Sequence, residues 1–157
     1  MSNDLATQIA TLGLAMQQYQ AAVDDFDREM ARVLHVNRTD LRCLEILISK
    51  FEDDITPREI AAQLDLTPGS VTTMLDRLEA VGYVVRSPHA DDRRKVLVRA
   101  TSAVRDLANS MIAPLLKDSE SEITAHFSAT ELGTVERFIK GATVVQRRHT
   151  ERLRSDG

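Results

Sequence analysis

Two short stretches of this 157-residue chain begin alike, Thr56-Pro57-Arg58-Glu59 and Thr67-Pro68-Gly69-Ser70. Threonine followed by proline is a helix start: the hydroxyl accepts an orphan backbone N–H, and proline's fixed φ suits the first helical position, where its missing N–H is not needed. Glu59 adds a capping box with Thr56. The first helix ends near Leu64, and the second runs to about Val81, where Gly82 stops it. Only about two or three residues separate them, and two short helices joined by so tight a turn form a helix-turn-helix whose second member is built to enter a groove.

The residues after the second helix narrow the reading. Tyr83-Val84-Val85-Arg86 reads as a strand, Ser87 to Lys95 as a polar loop with Pro88 at its start, and Val96-Leu97-Val98-Arg99 as the returning strand. A hairpin with a basic tip directly after a recognition helix is a wing. The expected fold is therefore mainly α with a small β-wing, a winged helix-turn-helix flanked by N- and C-terminal dimerisation helices.

The flanks carry helical periodicity. Leu5, Ile9, Leu12, Met16, Tyr19, Val23, Phe26, Met30 and Val33 recur at alternating steps of four and three, a heptad stripe that a lone helix cannot bury. Thr39 is the expected cap of a helix from Asp40 to about Lys50, closed by Phe51. After Ser102, Val104, Leu107, Met111, Leu115, Ile123 and Phe127 fall at helical spacing, with Pro114 expected to kink the run. A second capping box, Ser128 with Glu131, starts the last helix. The boundaries read as residues 1–36 for a dimerisation helix, 37–101 for the winged module and 102–157 for further dimerisation helices.

Net charge is −4, so a nucleic-acid reading depends on where the charge lies. Residues 56–101 hold seven Lys/Arg against six Asp/Glu, a balance of +1, while the rest of the chain stands at −5. Within the second helix Val71, Leu75 and Leu78 face inward, leaving Pro68, Gly69, Ser70, Thr72, Thr73, Asp76 and Arg77 outward. Its first turn is small, hydroxylated and uncharged, as close approach to phosphates and base edges favours. Arg77 is a candidate for phosphate or base; Arg86, Arg93, Lys95 and Arg99 are candidates for the DNA backbone, Arg99 being equally a plain surface residue.

The wing, Asp92-Arg93-Arg94-Lys95-Val-Leu-Val-Arg-Ala-Thr101, resembles that of the MarR family of bacterial regulators (multiple antibiotic resistance type). Asp92 and Arg94 match the family's Asp-x-Arg, and Thr101 its threonine, with Ala100 in place of the usual leucine. Leu41-Arg42-x-Leu44, Ile60-Ala61-x-x-Leu64, Ser70-Val71-Thr72-x-x-Leu75-x-x-Leu78-Glu79 and Gly82-Tyr83-Val84-x-Arg86 also fit. The resemblance implies a homodimer on a pseudo-palindromic duplex, its recognition helices in major grooves about one turn apart. It implies a wing in the minor groove, with Arg94 inserted and Asp92 fixing it through an ion pair. It further implies repression, relieved when a small aromatic or phenolic effector shifts the two heads; Tyr19, Phe26, Cys43 and Phe51 are candidates to line its site.

Other classes find less in the chain. The single cysteine, Cys43, excludes an intrachain disulfide and a zinc ribbon, and a reducing compartment is expected. A thiol-based redox sensor acting through Cys43 stays an alternative, as does a winged module used for protein contact alone. His35, His89, His126 and His149 have no metal-ligand spacing, so no metal or cofactor is expected. No phosphate-binding loop or nucleophile motif occurs, so the chain does not read as an enzyme. Nothing reads as a secretory signal or an apolar run of about 18 residues, so a cytoplasmic, membrane-free protein is expected.

Overall fold

The computed structural model describes residues 2–50, 55–89 and 95–155; Phe51, Asp92, Arg93 and Arg94 lie outside the described residues. In chain order the elements are α1 (Ser2–Val33), α2 (Arg38–Ser49), α3 (Pro57–Leu64), α4 (Pro68–Ala80), β1 (Val84–Pro88), β2 (Val96–Ala100), α5 (Ser102–His126) and α6 (Ala129–Ser155). The chain divides into two units, Met1–Met111 and Ile112–Gly157.

The first unit holds the buried core. Leu41, Leu44 and Leu47 of α2, Ile60 of α3, and Val71, Met74, Leu75 and Leu78 of α4 are buried together with Val84, Leu97 and Val98 of the hairpin. Met30, Ala31 and Leu34 add the end of α1, and Val104 and Ala108 the start of α5. The inward face of α4 is thus the one its step-of-four-and-three pattern predicts, with Met74 added.

Local chemistry accounts for the starts and stops. Thr56 accepts from the Glu59 N–H at 3.3 Å while the Glu59 carboxylate accepts from the Thr56 N–H at 2.8 Å, the expected capping box. Those Thr56 donors hold the Glu59 carboxyl below the usual carboxylate range. Asp65 then takes a left-handed conformation (φ 56°), and the Leu66 N–H turns back to the Ala61 carbonyl at 3.0 Å. Thr67 caps α4 by accepting from the Ser70 N–H at 3.2 Å. At its other end Gly82 (φ 79°) donates to Glu79 O and Tyr83 to Leu78 O, both at 2.9 Å, a paired C-terminal closure that needs positive φ at the glycine.

Two boundaries differ from expectation. The cap of α2 is Asn37, not Thr39: the Asn37 side chain accepts from the Asp40 N–H at 2.8 Å, and Thr39 lies inside the first turn. Asn37 has the extended backbone a cap needs (φ −84°, ψ 172°), and its short amide reaches the third helical N–H. The first wing strand is also longer. Ser87 and Pro88, expected in the loop, pair with Leu97 and Val96, and His89 donates to Lys95 O at 2.9 Å. Pro88 is tolerated because it stands at the strand's last position. An unexpected third segment joins the hairpin, Val98 donating to Ile55 O at 2.8 Å.

Thr101 closes the hairpin and starts α5. Its hydroxyl donates to Gly82 O at 2.8 Å, its N–H donates to Tyr83 O at 3.0 Å, and the Val104 N–H lies 3.5 Å from its Oγ1. Tyr83 in turn donates its phenolic O–H to Leu34 O at 3.2 Å, tying the wing's base to the end of α1. α5 runs on through Pro114. In the second unit, α6 starts on the expected Ser128–Glu131 capping box, whose Ser128 donors hold the Glu131 carboxyl low. No described residue of α6 is buried, and Val135, Phe138, Ile139 and Val145 are exposed. The α1 stripe is likewise exposed from Leu5 through Val23 apart from the half-buried Met16, and becomes buried only at Met30. No described helix is long and apolar enough to cross a membrane.

Candidate nucleic-acid interface

The outward face of α4 is made by Pro68, Gly69, Ser70, Thr72, Thr73, Asp76 and Arg77, all exposed. Its hydroxyls are ordered locally: Thr72 Oγ1 donates to Pro68 O at 3.0 Å, Thr73 Oγ1 to Gly69 O at 3.2 Å, and Ser70 shares a 2.8 Å bond with Thr67. A Cβ on Gly69 would meet nothing within 4 Å, and its φ lies outside the left-handed region. The fold itself therefore does not demand glycine there, whereas close approach of an external backbone would.

Arg77 is not a free side chain. Its Nη2 donates to Asp40 Oδ1 at 2.6 Å and its Nε to Asp40 Oδ2 at 3.4 Å. Asp40 is the one charged residue among the described residues that is buried, its side chain 5% exposed, while that of Arg77 is 49% exposed. The hydrogen bonds and charge of Asp40 raise the Arg77 pKa above the ordinary arginine range.

Arg86, a candidate for the DNA backbone, is engaged within the fold. Nη1 donates to Asp76 Oδ1 at 2.6 Å and to Glu79 Oε2 at 3.0 Å, and Nη2 to the Thr72 carbonyl at 3.2 Å. Its side chain is only 25% exposed. It pins β1 to α4 and offsets two carboxylates that would otherwise stand beside the groove-entering helix. Lys95 and Arg58 line one cleft with Thr56, Pro57, Glu59 and Val96, at the start of β2. Arg99 is exposed on β2.

Three of the four candidates for an effector site, Tyr19, Phe26 and Cys43, fall among the described residues, and they differ in burial. Cys43 is fully buried, so it cannot line an open cavity, and Tyr19 is exposed on α1 while Phe26 is half-buried. Burial, with the charge of Asp40 as the lesser cause, pushes the Cys43 thiol from an ordinary 9.0 up to about 12. A buried thiol held protonated is a poor nucleophile, which argues against a redox site there. Among the described residues no group of three His, Cys, Asp or Glu is placed to hold a metal.

Sequence reasoning missed the pairing of Asp40 with Arg77 and of Asp76 and Glu79 with Arg86. Asp40 had one visible signal, a carboxylate at helical spacing with Leu44 and Leu47 on the face that becomes buried. The ordered hydroxyl face of α4, followed by the hairpin, defines a winged helix-turn-helix of the DNA-binding class.

Comparison with known proteins narrows the class. Residues 36–96 match the model of the MarR family. The chain is 30% identical over 129 residues to the uncharacterized HTH-type transcriptional regulator YcgE of Bacillus subtilis, covering 82% of each chain. It is 28% identical over 139 residues to the multiple antibiotic resistance protein MarR of Escherichia coli, covering 88% of this chain and 95% of that one. Among solved structures, a MepR mutant from a multidrug resistant S. aureus clinical isolate superposes with a TM-score of 0.70 at 16% identity, over 85% of this chain and 96% of that one, a likeness of fold. Another S. aureus MepR mutant, solved bound to an oligodeoxyribonucleotide, superposes at 0.60 with the same identity and coverage. The chain belongs to the MarR family. It is a DNA-binding transcriptional regulator and not an enzyme.

Proposed function

We propose that the chain acts as a homodimeric repressor on a pseudo-palindromic operator, in the cytoplasm, and that a small aromatic or phenolic effector relieves it. The observation that carries the reading is the outward face of α4, small and uncharged in its first turns, with a glycine the fold does not require. In this reading Pro68, Gly69, Ser70, Thr72 and Thr73 meet the major groove, and Lys95 with Arg93 meets the backbone. Arg94, held by Asp92, enters the minor groove, where a narrow groove's negative potential favours arginine. Arg86 takes the different part of orienting the wing on α4.

The domain division we propose is residues 1–36 and 102–157 for dimerisation and 37–101 for DNA. Two separate apolar stripes support it, Leu5, Ile9, Leu12 and Val23 on α1 and Val135, Ile139 and Val145 on α6, all exposed in the single chain. A second copy would cover them, and two heads on one dimer match a two-fold operator. An effector would act through the spacing of those heads, by binding one spacing better than the other.

The test is binding of the intact protein to the duplex upstream of its own gene over a salt series. Affinity should fall steeply as salt rises, and Arg94→Ala should weaken it. A flat salt response, or Arg94→Ala binding as tightly as the parent, overturns the reading.

A further inference from the structure

Asp40 sits in the first turn of α2, where a carboxylate is favoured by the helix dipole and needs no other partner. Yet it is buried, and a buried charge is retained at a cost unless it is paired and hydrogen-bonded. Its partner comes from 37 residues away on the groove-facing helix. The contact uses one edge of the Arg77 guanidinium, Nε and Nη2. Among the described residues nothing takes the Nη1 edge, and half of the side chain stays exposed.

Arg77 borders a groove of about 740 Å³ between α2 and α4, where Arg38 and Thr39 face Gly69, Ser70 and Thr73. Arg38 and Arg77 are the two cations lining this groove, and they are held differently: Arg38 pairs with the exposed Asp24, whereas Arg77 is anchored on the buried Asp40. Along α4, Arg77 lies nine residues beyond Pro68, roughly 13 Å at 1.5 Å per residue. Recognition helices read bases with their N-terminal residues, so a side chain this far along meets the flanking backbone.

We propose that Asp40 is a positioning residue for DNA binding: it grips Arg77 by its Nε/Nη2 edge, so that the Nη1 edge is presented from the α2–α4 groove to a backbone phosphate. The inference rests on the reading of α4 as the recognition helix. A guanidinium fixed beforehand loses less rotamer freedom when it meets phosphate, and its flat fork suits two-point contact.

The test is a double-mutant cycle in the full chain, on the upstream duplex and on an unrelated duplex. Arg77→Ala should lower affinity about three- to tenfold on both duplexes and reduce the salt slope by about one. Asp40→Asn should weaken binding in the parent and have no further effect in the Arg77→Ala background. Arg77→Lys, which keeps the charge and loses the two-point grip, should retain most of the salt slope while losing affinity, and it tests the idea even where Asp40→Asn does not fold. An Asp40→Asn effect of equal size in both backgrounds would assign the residue to the fold alone and overturn the proposal. So would an unchanged slope in Arg77→Ala, or a loss confined to one base position. Parent protein with no salt-dependent binding would instead sink the reading of α4 beneath it, a separate outcome.

Discussion

Arg86 on β1 donates to the Asp76 carboxylate on α4 at 2.6 Å, and the same nitrogen reaches Glu79 at 3.0 Å. One arginine thus ties the wing to the recognition helix and offsets two anions on it. Exposed ion pairs contribute little individually, so Arg86→Ala should cost about 1 kcal/mol of unfolding free energy, read by urea titration. DNA affinity should fall as well, because the two carboxylates then repel phosphate. Adding Asp76→Asn and Glu79→Gln should restore much of that affinity. No recovery in the triple variant would mean that Arg86 itself touches DNA.

Two glycines in the same region should behave in opposite ways. Gly82 holds φ 79°, where an L side chain is strained, so Gly82→Ala should destabilise by about 1–2 kcal/mol although the space around it is open. Gly69 is unstrained and a Cβ added there would meet nothing within 4 Å, so Gly69→Ala should leave stability unchanged or slightly raised. Its DNA affinity should nonetheless drop. Thermal melts and binding isotherms on the two variants separate these outcomes, and a Gly69→Ala protein that binds as well as the parent would remove the close-approach argument.

What could be read in the sequence was local. Thr56 with Glu59, Ser128 with Glu131, Thr67-Pro68 and Gly82 act on backbone groups within a few residues, so residue type and spacing suffice. Asn37 and Thr39 are both able to cap, two residues apart, and only the backbone path selects Asn37. The misses are contacts made at long range: Asp40 with Arg77 across 37 residues, and Ile55 against Val98. Arg86 reads in the sequence as a cation for the DNA backbone because its partners lie seven and ten residues back, on a helix that the turn at Gly82 folds against β1.

The exposed stripes on α1 and α6 predict association. Each large apolar side chain covered contributes about 1.5–3 kcal/mol, and a two-fold interface counts each substitution twice. Ile139→Glu should therefore raise the dimer dissociation constant on the order of a hundredfold or more. Sedimentation velocity at micromolar concentration should find a dimer in the parent and monomer in the variant. A monomeric parent would contradict the proposed assembly.

Cys43 gives the pH dependence a definite sign. Its thiol is fully buried and titrates near 12 when folded, against 9.0 ordinarily, so between those values the unfolded chain has released the proton and the folded chain has not. With more protons bound in the folded state, stability falls as pH rises through that window, and the contribution is intact below about pH 9. The slope from this group approaches about 1.4 kcal/mol per pH unit, and Cys43→Ala should flatten the pH profile by that amount. Thiol alkylation at pH 8 should be slow in the native protein and fast in denaturant. Rapid labelling of folded protein, or a peroxide response that Cys43→Ser abolishes, would restore the redox reading that burial argues against.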